Sequence, residues 1–300
     1  MKKVLKWIGI ILGCLLVLIV VAGFILVGKA DRMMKQKFTI SPTYFTVDSD
    51  SASVARGKKF VNLCKECHGK QLEGYAFFNE ADLGMLYAPN LTPGKGGVVA
   101  GYTDVDWIRA IRHGVRPNGD GLMIMPSKDF YAMSKDDISD LIAYLKTLPP
   151  VDHEKPGDNY LTTLGKILLS TGQFGELYSA NEIDHSKPAG TAPASGATAQ
   201  YGEYMVQISG CRSCHQPELN GGKHPNPKSP IVPNITPGGN LGKWSEQDFL
   251  ATMKTGKTPE GKQLDPHFMP YTAFADLGDE ELSAMYMYLK SLPAKETNTK

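Results

Sequence analysis

The hydrophobic pattern divides the chain near its amino end. From Trp7 to Gly28 the sequence WIGIILGCLLVLIVVAGFILVG carries no charge, and Lys2, Lys3 and Lys6 precede it. As a helix those residues extend ~33 Å, enough to cross a ~30 Å hydrocarbon core. The run exceeds the ~7–15 residues of a signal-peptide apolar region, so residues 1–30 are read as a membrane anchor, an uncleaved signal. Cleavage after Gly28-Lys29-Ala30 and lipidation of Cys14 are the competing export readings, and a buried soluble helix is the plain one. Lys29, Arg32, Lys35 and Lys37 flank the far end, so charge alone does not set the orientation.

Beyond a linker at 31–50, helix signals recur in two sets. Helices are expected over Ser53 to Leu63 and Gly202 to Ser209. Thr103-x-x-Asp106 and Ser245-x-x-Asp248 are capping boxes with Asp in place of Glu, and Gly114 and Gly256 stop the helices they open. The helices expected over Ser134 to Leu148 and Asp279 to Leu292 carry acids in the first turn, a Lys near the end and Pro just beyond. No segment alternates in the manner of a strand. The expectation is short helices and long loops, with the first and last helix of each set packed together.

The two sets are copies. CKECH at 64–68 returns as CRSCH at 211–215, an offset of 147. PNLTPG at 89–94 is followed by PNITPG at 233–238, and Met125-Pro126 by Met269-Pro270. From Met125 to Pro149 the second copy follows at a constant offset of 144. The chain therefore reads as domain 1 at 51–150, a connector at 151–196, domain 2 at 197–296 and a tail at 297–300. The connector begins with the apolar-bearing YLTTLGKILLSTGQFGELY, expected to pack across domain 1, with an interfacial membrane helix as the alternative. It ends in KPAGTAPASGATA, a flexible linker by composition.

Charge changes the picture by exclusion. With 32 Lys plus Arg against 31 Asp plus Glu there is no bulk basic field, and nucleic acid is set aside as a partner. The 31 Gly and 20 Pro suit small units built around a ligand.

Two cysteines two residues apart with His next in line serve a redox dithiol, half a zinc site or covalent haem attachment. The cysteine pairs lie 147 residues apart in separate units, so they do not pool into one zinc site, and Cys, Cys and His within five residues make a strained tetrahedral set. A thioredoxin-like dithiol wants a βαβ setting and leaves the histidine without a purpose. Haem explains all three residue types. Cys64, Cys67, Cys211 and Cys214 form thioethers to the porphyrin vinyl groups, and His68 and His215 lie under the irons as proximal ligands.

With CxxCH, PN(L/I)TP and MP in that order in both halves, the chain resembles a di-haem class I-type cytochrome c over nearly all of residues 51–296. It is also similar to the cytochrome c subunits of membrane-bound alcohol and sugar dehydrogenases. Those subunits often carry three haems, and this chain has two attachment motifs.

The resemblance implies an all-α fold: two tandem cytochrome c-like domains around two covalently bound haem c groups, after an N-terminal transmembrane helix. It implies Met125 and Met269 as the distal iron ligands, 57 and 54 residues after the histidines. A lone methionine is ordinarily core filler; the recurrence of Met-Pro sets these two apart. Met123 and His267, each two residues away, are the alternatives. The carbonyls of Pro89 and Pro233 are expected to accept the proximal histidine N–H, fixing the ring. His113 aligns with Thr255 and is expected in a pocket or at the surface, not as a shared ligand. Trp107 aligns with Phe249, which argues for packing. Arg109 and Arg112 are expected either to neutralise haem propionates or to face solvent.

Haem c is attached outside the bacterial cytoplasm, so the resemblance places a single-pass protein in the inner membrane with its haem domains on the periplasmic side. The function implied is single-electron transfer between respiratory or dehydrogenase partners: a carrier, not a catalyst. Its partners would be a dehydrogenase, a quinol-linked complex or a terminal oxidase, met through modest surfaces. The rival is a di-haem oxidoreductase of peroxidase or thiosulfate-oxidising type, which needs a displaceable distal ligand on one haem.

Overall fold

Helix α1 (Lys2–Met33) keeps its apolar side chains exposed along most of its length, from Val4 to Ile25. Only Ala30 is buried, near the end where α1 meets the rest of the chain. The computed structural model describes residues 2–224, 229–274 and 277–298. Of the expected tail 297–300, residues 299 and 300 lie outside the described residues.

The first unit runs α2 (Ser51–Gly57), a 3-10 turn (Lys58–Phe60), α3 (Asn62–His68), β1 (Tyr75–Glu80), β2 (Gly84–Ala88), α4 (Asp104–His113), α5 (Ser127–Phe130) and α6 (Lys135–Leu145). The connector supplies β3 (Tyr160–Leu161) and α7 (Thr163–Ser170). The second unit runs α8 (Ala199–Ile208), α9 (Cys211–His215), α10 (Glu246–Thr255) and α11 (Asp279–Ser291). The helix expected over Ser53 to Leu63 is broken: α2 ends at Gly57, and the chain tightens into the 3-10 turn before α3 begins.

Both capping boxes close. Thr103 Oγ1 accepts from the Asp106 N–H at 3.3 Å while the Asp106 carboxylate accepts from the Thr103 N–H at 3.0 Å; Ser245 and Asp248 repeat the exchange at 3.2 and 2.9 Å. In each unit the first helix crosses the last, α2 on α6 and α8 on α11. The crossing is close enough to demand glycine. A Cβ at Gly57 would collide with the Asp140 carbonyl, and one at Gly202 with the Ala284 carbonyl, at equivalent places in the two copies. Beside the first crossing, Arg56 grips the buried Asp140 with Nε and Nη2 at 2.6 and 2.9 Å.

A small sheet departs from the sequence reading. β1 and β2 pair antiparallel, and β3 adds to β2 through Gly84 and Leu161. Alternation does not mark it, because β1 is bulged between Tyr75 and Phe78 and β3 is only two residues long. The sheet belongs to a second cluster in which Leu86, Leu161, Leu169, Leu177 and Tyr178 surround Ala30 of α1. Lys29 Nζ donates to the Ser170 carbonyl at 2.7 Å, and Lys166 pairs with Asp31 at 2.7 Å. The first half of the connector thus packs on the first unit and holds the end of α1 against it. Residues 31–50 also run along this unit: the Phe38 N–H donates to Gly119 O at 2.8 Å, and Val47 is buried in the main core.

The main hydrophobic cluster is continuous through both units, from Phe60, Ile108 and Ile142 to Met205, Phe249 and Met285. Polar contacts stitch the same interface. The Ser134 N–H donates to Tyr204 Oη at 2.9 Å, and Lys59 reaches both Tyr201 and Glu281.

Candidate functional site

In the first unit α3 ends on the CxxCH motif, so Cys64 and Cys67 stand three apart on one helix and meet the same neighbourhood. Cys64 and His68 are buried. Burial pushes the Cys64 thiol up to about 12 and the Cys67 thiol up to about 11. Neither is the accessible thiolate that a redox dithiol requires. Burial also pulls His68 down to about 4, leaving a neutral imidazole. Its Nδ1 lies 2.8 Å from the Pro89 carbonyl, which can only accept, so Nδ1 carries the proton and Nε2 keeps its lone pair.

The second unit repeats this arrangement on α9. His215 is buried, its Nδ1 is 2.8 Å from the Pro233 carbonyl, and burial lowers its pKa. Cys211 is pushed up to about 12 by burial, with the Asp129 carboxylate adding to the effect.

A cavity of about 780 Å³ opens in the first unit, within the range of ligand-binding clefts. Cys64, Cys67 and His68 line it together with Pro89, Trp107 and Met125. Two thiols, a neutral histidine and a thioether along one cavity suit a covalently attached haem: the thiols for its vinyl groups, the imidazole and thioether for its iron. Met125 is half-buried and packs on the main core; Met123 lines the same cavity but packs in the α1-side cluster. In the second unit Met269 also packs on the main core; His267 is exposed, its ring edge against Phe268 at 5.0 Å.

The motif loops contain more working residues than the prolines. Asn90 Nδ2 donates to the Val151 carbonyl at 2.8 Å while its Oδ1 accepts from the Thr92 N–H at 2.8 Å. Asn234 bonds Lys295 O and the Thr236 N–H in the same way at 2.8 and 2.9 Å. Each Asn pins its PNxTP loop to the segment after the unit's last helix, and so sets where the adjoining proline carbonyl sits. Asn90, Thr92, Asn234 and Thr236 stand in the repeated motifs; their invariance between the two copies was the available signal.

Two expectations change. Arg112 is buried, not solvated, and its guanidinium reaches His113 and Pro188. Arg109 is spent on Tyr44 Oη and the Pro117 carbonyl. Arg116, which sequence reasoning passed over, is the arginine that lines the cavity. Of its two expected settings His113 takes the pocket: it is buried against His185 of the connector, with the two Nδ1 atoms 3.0 Å apart. Trp107 and Phe249 are both buried in the main core, as packing predicts.

Comparison with known proteins places these observations. The model of the family described as Cytochrome c matches residues 54–149 and 199–293. The chain is 29% identical over 269 residues to the fructose dehydrogenase cytochrome subunit of Gluconobacter japonicus, covering 81% of this chain and 53% of that one. It is 28% identical to the cytochrome c subunit of alcohol dehydrogenase (quinone) from Komagataeibacter europaeus, covering 83% and 58%. A diheme cytochrome c-type protein of Cereibacter sphaeroides is 29% identical, covering 92% and 98%. The chain thus spans little more than half the length of the dehydrogenase subunits it matches.

Proposed function

The chain belongs to the cytochrome c family, and on that premise we propose that it is a membrane-anchored carrier that moves single electrons through two covalent haem c groups. Cys64 and Cys67 hold the first haem and Cys211 and Cys214 the second. His68 and His215 are the proximal ligands, Met125 and Met269 the distal ones. The haem supplies an iron that changes oxidation state by one electron, and His/Met ligation favours a high potential. The protein's own part is to keep each imidazole neutral by burial and to aim it through the N–H bond to Pro89 or Pro233.

One observation carries this reading: the same buried histidine, at the same 2.8 Å from a proline carbonyl, occurs in both copies. A chance zinc or dithiol site gives no reason for the proline or for its repetition.

Helix α1 is the anchor, its exposed apolar side chains facing lipid, and both haem domains lie on the periplasmic side of the inner membrane. The partner is a dehydrogenase that delivers electrons to this chain, as the names of the relatives support. A quinol-linked complex or terminal oxidase then takes them.

Purified full-length protein decides the matter by its haem count and spectra. Two low-spin haems per chain, each with the charge-transfer band of methionine on ferric iron and neither binding carbon monoxide rapidly when reduced, are expected. A high-spin haem that binds carbon monoxide at once would overturn the carrier reading in favour of a di-haem oxidoreductase.

A further inference from the structure

The loop carrying Met125 is not held by its own unit alone. The Ile124 N–H donates to the Leu177 carbonyl at 2.7 Å, and the Ser179 hydroxyl donates to the Met125 carbonyl at 2.8 Å. Leu177 and Ser179 both belong to the connector, and both are buried. Between these bonds Ile124 has φ +65°, a left-handed conformation that a β-branched residue adopts only where its surroundings enforce it.

The connector is fastened in turn. Arg112 Nη1 is 3.1 Å from His113 Nε2, His113 Nδ1 is 3.0 Å from His185 Nδ1, and His185 Nε2 is 3.1 Å from the Ala180 carbonyl. Arginine only donates and a carbonyl only accepts, so every proton in this chain is assigned: His113 accepts at Nε2 and donates from Nδ1, and His185 donates from Nε2. Arg112 Nη2 also donates to the Pro188 carbonyl at 3.1 Å, and the Tyr131 hydroxyl to the Asp184 carbonyl at 2.6 Å. The segment is a strap tied down just after Ser179.

The second copy is built differently. Phe268 occupies the place of Ile124 and is not among the described non-glycine residues with positive φ. The described backbone bonds of its loop are local: the N–H groups of Phe268 and Met269 donate to the Asp265 carbonyl, and the His267 N–H to the Asp265 carboxylate.

We propose that connector residues 177–188 are a strap that positions the distal methionine of the first haem only, with Ser179 and the His113–His185 pair as positioning residues. The inference rests on Met125 being that ligand. It makes two haems with the same nominal ligands inequivalent, because among the described residues the backbone at the first distal methionine is bonded to the connector, while the backbone bonds at the second are local.

The test uses the full-length, haem-loaded protein carrying Ser179→Ala, Ser179→Thr, His185→Gln or Met125→Ala. The readouts are the methionine–ferric iron band and carbon monoxide binding to the ferrous form. Ser179→Ala and His185→Gln should each weaken the half of the band that belongs to one haem. They should also speed carbon monoxide binding at that haem about tenfold, the factor one hydrogen bond of ordinary worth carries. Ser179→Thr, which keeps the hydroxyl, should restore wild-type behaviour. Wild-type spectra and rates in both strap variants, or a loss shared equally by the two haems, would overturn the strap. Met125→Ala separates the two levels: if it removes half of the band while the strap variants change nothing, only the strap falls. If Met125→Ala leaves the whole band intact, the ligand assignment falls first.

Discussion

The Ser213 hydroxyl, inside the CRSCH segment of the second unit, donates to Asp129 Oδ2 of the first unit at 2.9 Å. The mirror contact is also made: the Thr272 hydroxyl donates to Glu66 Oε1 at 2.6 Å, and Glu66 occupies in CKECH the place that Ser213 occupies in CRSCH. Each cysteine-bearing helix therefore docks on the segment that follows the other unit's Met-Pro. Acid and hydroxyl have exchanged sides between the two contacts. The units are joined by a pseudo-twofold relation that runs through the segments flanking both candidate haem sites.

Ser213→Ala tests that relation. Asp129 is buried, burial raises its carboxyl pKa, and the Ser213 hydroxyl opposes the rise. A bond to a buried carboxylate is worth ~1.5–3 kcal/mol, so the variant should lose that much unfolding free energy at neutral pH. Asp129→Asn keeps an acceptor for Ser213 and removes the charge. The folded pKa of Asp129 is raised, so its contribution is fully present below the unfolded pKa and is lost as pH rises. Relative to wild type, Asp129→Asn should therefore gain stability on passing from acid to neutral pH. Denaturant titrations at pH 4 and pH 7 check both; a Ser213→Ala protein as stable as wild type would remove the contact from the account.

The glycine crossings make a sharper stability prediction. A methyl group at Gly202 meets a backbone carbonyl, not the end of a flexible side chain, so α8 and α11 must separate. Gly202→Ala should cost ~1–3 kcal/mol, the usual range for overpacking a tight site, and Gly57→Ala a similar amount. Thermal unfolding followed at the haem absorbance is the measurement. Unchanged midpoints in both variants would mean that the helices adjust without loss.

Much of this was legible because the chain states it twice. CxxCH, PNxTP and MP stand out by recurrence, and Thr103–Asp106 and Ser245–Asp248 carry their capping geometry in a spacing of three residues. What was hidden has no local period. β1 is bulged and the sheet is completed by β3, a two-residue strand 72 residues beyond β2, so alternation never develops. Arg112 looks like a surface cation until the connector, 76 residues later, covers it. The strap on Met125 was hidden for the same reason. Residues 177–188 resemble nothing in the second copy, and the comparison between copies that singled out the candidate ligands was silent about the segment between them.

Asn234→Ala tests the loop that aims His215, the proposed proximal ligand of the second haem. It strands the buried Thr236 N–H and removes the donor to the Lys295 carbonyl, at ~1–3 kcal/mol. A loosened Pro233 carbonyl also weakens the bond to His215 Nδ1, making the imidazole a less basic ligand, so the potential of one haem should rise. A redox titration resolving two components should show one displaced and one fixed. Displacement of both, or of neither, would refute the local role given to Asn234.

The last prediction concerns pH and the buried histidine pair. Burial comes first and the charges of Arg112, His185 and Arg109 follow in pulling His113 down to about 3, from an ordinary value of 6.5. The Tyr131 ring packs edge-on against His113, and none of the groups that shift it is an acid. Between pH 6.5 and pH 3 the unfolded chain binds a proton at this position and the folded chain does not. Its contribution to stability is therefore complete above pH 6.5 and is lost as pH falls, at up to ~1.4 kcal/mol per pH unit. His113→Gln should be less stable at pH 7.5, because it breaks the bonded chain from Arg112 to Ala180, and the gap to wild type should shrink steadily towards pH 4.5. Parallel denaturant titrations at pH 7.5, 6 and 4.5 measure this gap. A gap that stays constant with pH would show that His113 does not remain neutral in the folded protein through this range.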